Sequence, residues 1–354
     1  MKQISRILFI ALAMIMLVGV HVRLSAGDFE VKLRSGHVLL FNIIDPQKKT
    51  LEVAYGGIVI TNTDSLPSGA VNIPGALRKD SVTYIVSAIA NKAFRGADKV
   101  EKVEIPSSVK SIGDYAFEGC SSLKEVVFGQ ADQIFGKEVF KDCTSLENPV
   151  FGSKWHRVNL AEFKWSDSLK AVKIPASVVT ITGLKNLAHL EKIEVAPDNV
   201  KFSTNDGMLY SADRKTFYAC PCGRTGNVVV SSGTEVVLEG ALRDCPGVEK
   251  VEFPSSLLKM SYLEFCNEKN IKTIVFLSGM PPRTALKDNM EIFALRLASQ
   301  DAEIVVPDKA YRVYCTAICN EEGDYCNING KQAGTCFEMN MASSRNIVKL
   351  GKVK

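Results

Sequence analysis

Ten cysteines and four histidines are the residues of this 354-residue chain best suited to chemistry. Cys315, Cys319, Cys326 and Cys336 stand close together in the last stretch of sequence. Four thiolates can hold zinc, but the spacings x3, x6 and x9 lack the paired C-x2-C form that marks a zinc site strongly. In an exported chain, a tail with little core of its own is better served by two disulfides, and four cysteines allow three connectivities. Cys120, Cys143 and Cys245 are spaced differently and read as buried thiols acting as small hydrophobes; a disulfide between Cys120 and Cys143 is the alternative. Cys220-Pro221-Cys222 is too short for a comfortable internal bridge, so partners elsewhere or none are equally open. A cysteine or serine nucleophile needs a histidine within hydrogen-bond reach, and beyond residue 26 only His37, His156 and His189 remain. No G-x-S-x-G, H-E-x-x-H or P-loop spacing occurs. The reading is therefore non-enzymatic, with no catalytic residue, cofactor or metal expected.

Met1 to Ala26 reads as an export signal: Lys2 and Arg6, an apolar run from Ile7 to Val20, then Leu24-Ser25-Ala26 as a cleavage site. That run is short for a bilayer span, so no membrane span is expected once the signal is cut. The formal net charge is +4, and loss of Lys2, Arg6 and Arg23 brings it close to neutral. A neutral chain has no electrostatic footprint for nucleic acid or anionic lipid.

The elements that carry these residues are set by a repeat. Ile105, Phe128, Phe151 and Ile174 lie 23 residues apart, and the step recurs from Val230 to Phe253 to Phe276. Eleven residues before these anchors, and before the off-period Val195, stand Phe94, Phe117, Phe140, Phe163, Leu184, Leu242 and Phe265; five before stand Val100, Leu123, Leu146, Leu169, Leu190, Val248 and Ile271. Two before come Val103, Val126, Val172, Ile193, Val251 and Ile274, with Pro149 the exception. Each unit thus ends in L-x-x-V-x-I, a short strand with its apolar residues on one face. A unit buries about five such side chains at roughly 1.5–3 kcal/mol each, while every residue it orders costs about 1–2 kcal/mol of backbone entropy. No unit stands alone, and stacking into a solenoid with a parallel sheet is the solution.

The segment I-P-S-S-V-K-S-I-G-D-Y-A-F-E-G-C-S-S-L-K-E-V, residues 105 to 126, resembles the BspA-like leucine-rich repeats of bacterial surface and secreted proteins. The resemblance covers roughly residues 70 to 314 and rests on the A-F-x-x-C-x-x-L core. It implies an α/β repeat solenoid: a leucine-rich repeat with a parallel β-sheet on the concave face, short turns or helices opposite and a β-rich N-terminal cap. It also implies attachment to protein or glycan partners at the cell surface; a periplasmic or secreted scaffold or binding subunit for nutrient capture is the alternative.

The expected order is a signal over 1–26, a β-rich cap over 27–81, the array over 82–280, a capping unit over 281–314 and a cysteine-containing tail over 315–354. Residues 196–229 carry a longer spacing and a hairpin signal, Asp206-Gly207-Met208-Leu209-Tyr210 with a return at Lys215 to Ala219. Insertions in solenoids often project and vary binding; a functionless surface loop is the alternative. Leu286, Met290, Phe293 and Leu297 fall on one face of a helix after Pro281-Pro282. The positions one and three before each anchor face outward, and most are charged. Val127 and Val150 are adjacent rungs without charge, flanked by Glu125, Asn148 and Lys173, and Trp165 stands in a loop column otherwise held by Gly96, Gly119, Asp142 and Asp244. Uncharged spots and exposed aromatics favour partner contacts, against the plainer readings of β propensity and local packing. These features leave ligand identity and oligomeric state open.

Overall fold

A computed structural model describes residues 29–32, 38–45, 47–59, 69–79, 81–130, 132–261, 270–283, 285–287, 290–292, 303–310, 313–314 and 349–353. The signal reading and the cysteines Cys315, Cys319, Cys326 and Cys336 lie outside them.

Each coil of the array turns around the columns of the repeat. The strands Val100–Glu104, Glu125–Val127 and Asn148–Val150 pair in parallel, one coil apart, with Val103 opposite Val126 and Val126 opposite Pro149. Ala171–Ile174 pairs with Lys192–Val195, and farther along Gly226–Val229, Val248–Phe253, Thr273–Phe276 and Glu303–Pro307 continue the same arrangement. These strands form a first ladder. Val103, Leu123, Val126, Leu146 and Ile193 beneath it have no exposed surface. Phe94, Phe117, Phe140 and Phe163 stack face to face from coil to coil, with ring centroids 4.9, 5.3 and 5.2 Å apart.

A second ladder, not anticipated from the sequence, runs along another side. Val82–Ile89, Ser111–Ile112 and Ile134–Phe135 pair in parallel, as do Arg157–Asn159 with Thr180–Thr182 and Thr216–Ala219 with Val236–Val237. Its inward residues Ile112, Phe135, Val158, Ile181, Val237 and Met260 stand seven after each anchor and so share its step. The strand Thr50–Val59 adds to this ladder in parallel and is itself held antiparallel by Val38–Asp45, which pairs with Phe29–Lys32. The N-terminal hairpins thus feed directly into the array.

The fold is a β-solenoid of stacked parallel coils with almost no helix. Among the described residues helix is limited to the 3-10 turns Leu160–Phe163, Leu184–Asn186 and Asp308–Ala310 and to Val313–Tyr314, so the expected α/β class gives way to a nearly all-β one. In the described part of the stretch from Leu286 to Leu297, strand stands where a helix is expected. Ala285–Lys287 and Met290–Ile292 pair antiparallel instead, and Asp288-Asn289 between them are residue types that favour tight turns over helix interiors.

The longer spacing after Val195 is a correction of another kind. The hairpin is there, Met208–Ser211 pairing with Thr216–Ala219, and Asp206 and Gly207 take φ values of 50° and 74° at the other turn, which joins Phe202–Asn205 to Met208–Ser211. It does not project. Met208, Tyr210 and Phe217 have no exposed surface, the Ile193 N–H donates to the Gly207 carbonyl at 2.8 Å, and Thr216–Ala219 joins the second ladder. Its alternating large apolar residues are core residues, and the insert fills a rung of the stack.

Candidate binding face

The first ladder presents its outward residues in two columns. One runs Ala70, Lys102, Glu125, Asn148 and the other Asn72, Glu104, Val127, Val150, each residue opposite the next. Charges along it are matched. Lys102 Nζ lies 3.0 Å from Glu104 and 2.8 Å from Glu125, and Asn148 Nδ2 donates to Glu125 at 2.8 Å. The Lys102 ammonium holds the Glu125 carboxyl below its usual range, with Asn148 helping, and Glu125 in turn raises Lys102. Both groups are solvated, so each pair contributes under about 1 kcal/mol. Further pairs join Lys124 to Glu101, Lys170 to Glu191, Lys192 to Glu194 and Lys272 to Glu249. The column of Asn72 and Glu104 ends on Val127 and Val150. Val150 is 38% exposed and Val127 half-buried, and neither side chain carries a charge that has to shed water when a partner covers it.

Lys173 is exposed on the next strand, but that strand does not ladder with Asn148–Val150. The cause is Pro149. Asn148 N–H donates to Lys124 and Val150 accepts from Phe128, so the backbone of Pro149 faces the following strand and has no N–H to give it. The structure therefore brings Val127, Val150, Glu125 and Asn148 into one ladder and leaves Lys173 beyond its edge.

Trp165 lies apart, on a turn. Gly96, Gly119, Asp142 and Asp244 of its column take positive φ, between 57° and 74°, a conformation that costs an ordinary side chain about 1–2 kcal/mol. With Trp165 in that column, the turn is rebuilt as the 3-10 helix Leu160–Phe163, capped by Asn159 Oδ1 accepting from the Ala161 N–H at 3.2 Å. Trp165 is half-buried beneath the Lys164 ammonium, 5.0 Å from the ring centroid. The other tryptophan, Trp155, belongs to the core. Its indole N–H donates to the Gly129 carbonyl at 2.8 Å and its ring packs on Phe128 and Phe151.

Cys120 and Cys143 are buried free thiols, and Cys220, Cys222 and Cys245 are buried as well. Cys120 Sγ donates to the Phe94 carbonyl and Cys143 Sγ to the Phe117 carbonyl, both at 3.1 Å, so each thiol stitches its coil to the preceding one. The neighbouring Cys120 thiol and burial push the Cys143 thiol well above its ordinary range. His156 and His189 sit at the surface, each facing an aspartate, Asp132 and Asp167. Among the described residues no group of three or more His, Cys, Asp or Glu side chains can hold a metal, and no helix is long and apolar enough to cross a membrane.

A stack of parallel coils held by inward apolar columns, with a solvated ladder outside, defines a repeat solenoid of the leucine-rich class. The BspA type leucine rich repeat region matches in six copies over residues 87–206 and 210–281, more than half of the chain, and the chain belongs to this family. Among solved structures it is similar to the pneumococcal vaccine antigen PcpA, at 15% identity over 82% of this chain and 97% of that one, with a TM-score of 0.43. A leucine rich cell surface protein from Faecalibacterium prausnitzii is 18% identical over 83% of this chain and 94% of its own, with a TM-score of 0.39. A leucine-rich repeat protein from Bacteroides ovatus gives 18%, 76%, 77% and 0.41. None of the curated proteins matches this chain.

Proposed function

We propose that this chain is an exported, non-enzymatic binding protein that recognises a protein or glycan partner at the cell surface. The partner docks on the first ladder at Val127 and Val150, rimmed by Glu125 and Asn148, with Lys173 beyond the ladder's broken edge. The observation that carries this reading is the pair of adjacent valines that follows Asn72 and Glu104 in one outward column, one of them exposed, beside the ion-paired Lys102 and Glu125 of the other column. Covering an ion-paired rung strips water from both charges, whereas covering the valines does not. Membership in a repeat family rather than a catalytic one supports a scaffold, and the Met1 to Ala26 signal supports export.

The test uses three baits: the chain lacking residues 1–26, its Val127→Lys/Val150→Glu variant and its Trp165→Ala variant. The double variant leaves every inward column intact, so its urea midpoint should move by less than about 1 kcal/mol in equivalent stability. Partners captured by the parent and by Trp165→Ala, but lost from the double variant, support the reading; loss from Trp165→Ala alone moves the site to the turn. Protease treatment of intact cells should remove the protein, and its survival there would favour a periplasmic scaffold.

A further inference from the structure

At two of the breaks inside the array, the ladder edges are unable to pair. Pro149 offers no N–H, and Asp132 Oδ1 accepts the backbone N–H groups of His156 at 2.6 Å and Arg157 at 3.3 Å in place of a neighbouring strand. Such blunting is how proteins keep sheet edges from recruiting other chains. The strand Glu303–Pro307 is built differently. It follows Thr273–Phe276 in the first ladder, it carries the β-branched run Ile304-Val305-Val306, and proline enters only at its end. Ile304 and Val306 are fully buried, so the strand is fixed in place by the core. Its far edge is occupied by Lys349–Val353, which pairs in parallel and sets Glu303 opposite Lys349, Val305 opposite Gly351 and Pro307 opposite Val353.

We propose that Glu303–Pro307 is a strand-acceptor edge and that the 349–353 segment is an exchangeable occupant, so that a second copy of this chain can supply it in trans. Backbone hydrogen bonds give such strand addition its affinity. The competition between the two sources is set by effective concentration. A short flexible linker holds its partner at roughly millimolar concentration, and the value falls as the linker lengthens. The connection here passes through residues 308–348, so the intramolecular strand wins in dilute solution and exchange sets in where copies are crowded. This is the logic of domain swapping, in which the same contacts are made within or between copies.

The full chain carrying Leu350→Pro and Gly351→Pro tests the proposal, because two successive prolines remove donors from both sides of the segment. The probe is a labelled synthetic peptide of residues 346–354, titrated by fluorescence anisotropy, with a scrambled peptide as control. The variant should bind the native-sequence peptide at least tenfold more tightly than the unaltered chain does, and the scrambled peptide should not bind. Equal affinity for variant and unaltered chain, or no binding by a variant with a native near-ultraviolet circular dichroism spectrum, overturns it. If the prolines unfold the array, the unaltered chain with peptide in large excess gives the second readout. Displacement then appears as loss of hydrogen-exchange protection in residues 349–353, and undiminished protection overturns the proposal.

Discussion

At the scale of single residues, the stack of phenylalanines holds the coils in register. Phe117 has no exposed surface and lies between Phe94 and Phe140 at stacking distance. Phe117→Ala should therefore cost about 3–5 kcal/mol through lost burial and the cavity left between two rings. Urea unfolding checks this, and a change below about 1 kcal/mol would show that the ring is not enclosed. The cysteine column makes a separate prediction. The Cys143 thiol is buried, donates to a carbonyl of the preceding coil and is held protonated by Cys120 and by burial, so almost none of it is thiolate near neutral pH. A thiol reagent at pH 8 should leave Cys120 and Cys143 unmodified in the native chain and modify both in urea, as peptide mapping would show. Rapid modification of either in the native state would place it outside the core.

At the scale of elements, the strands of the first ladder were legible because their apolar residues recur at fixed offsets over several coils, and one burial rule explains every member from Val100 to Ile274. The second ladder escaped notice although Ile112, Phe135, Val158 and Ile181 keep the same step. The strands that carry these four residues are two or three residues long, too short for alternation to show, and only column by column comparison reveals them. The hairpin after Val195 is legible in the sequence as a hairpin, but its place in the core is not. Length alone suggested a loop, while Met208, Tyr210 and Phe217 carried the contrary signal. Tyr210→Ala supplies the test: the side chain is fully buried and its hydroxyl accepts the Ser231 N–H at 3.2 Å, so the loss should be about 3–5 kcal/mol. A projecting loop would lose within about 0.5 kcal/mol. Of the candidate face, the sequence placed Val127, Val150, Glu125 and Asn148 together because they are separated by one repeat. Lys173 fell beyond the edge because Pro149 acts through a missing hydrogen bond, which no hydropathy pattern records.

At the scale of the whole molecule, the solenoid is a row of neighbours, each coil depending on the next. Two buried clusters meet at the hairpin, one reaching Leu209 and Ala219 and the other beginning with Met208 and Tyr210. Such an array offers a long, rigid outer surface whose backbone is fixed by two ladders, and recognition becomes a matter of which rungs are cheapest to dehydrate. The proposed docking rungs are Val127 and Val150. Hydrogen exchange on the complex with a partner captured by the parent bait, measured against the free chain, tests that location most directly. The account predicts added protection at residues 102–104, 125–127 and 148–150, with the second ladder unchanged. Protection confined to the second-ladder strands, or to the turn that carries Trp165, would contradict it.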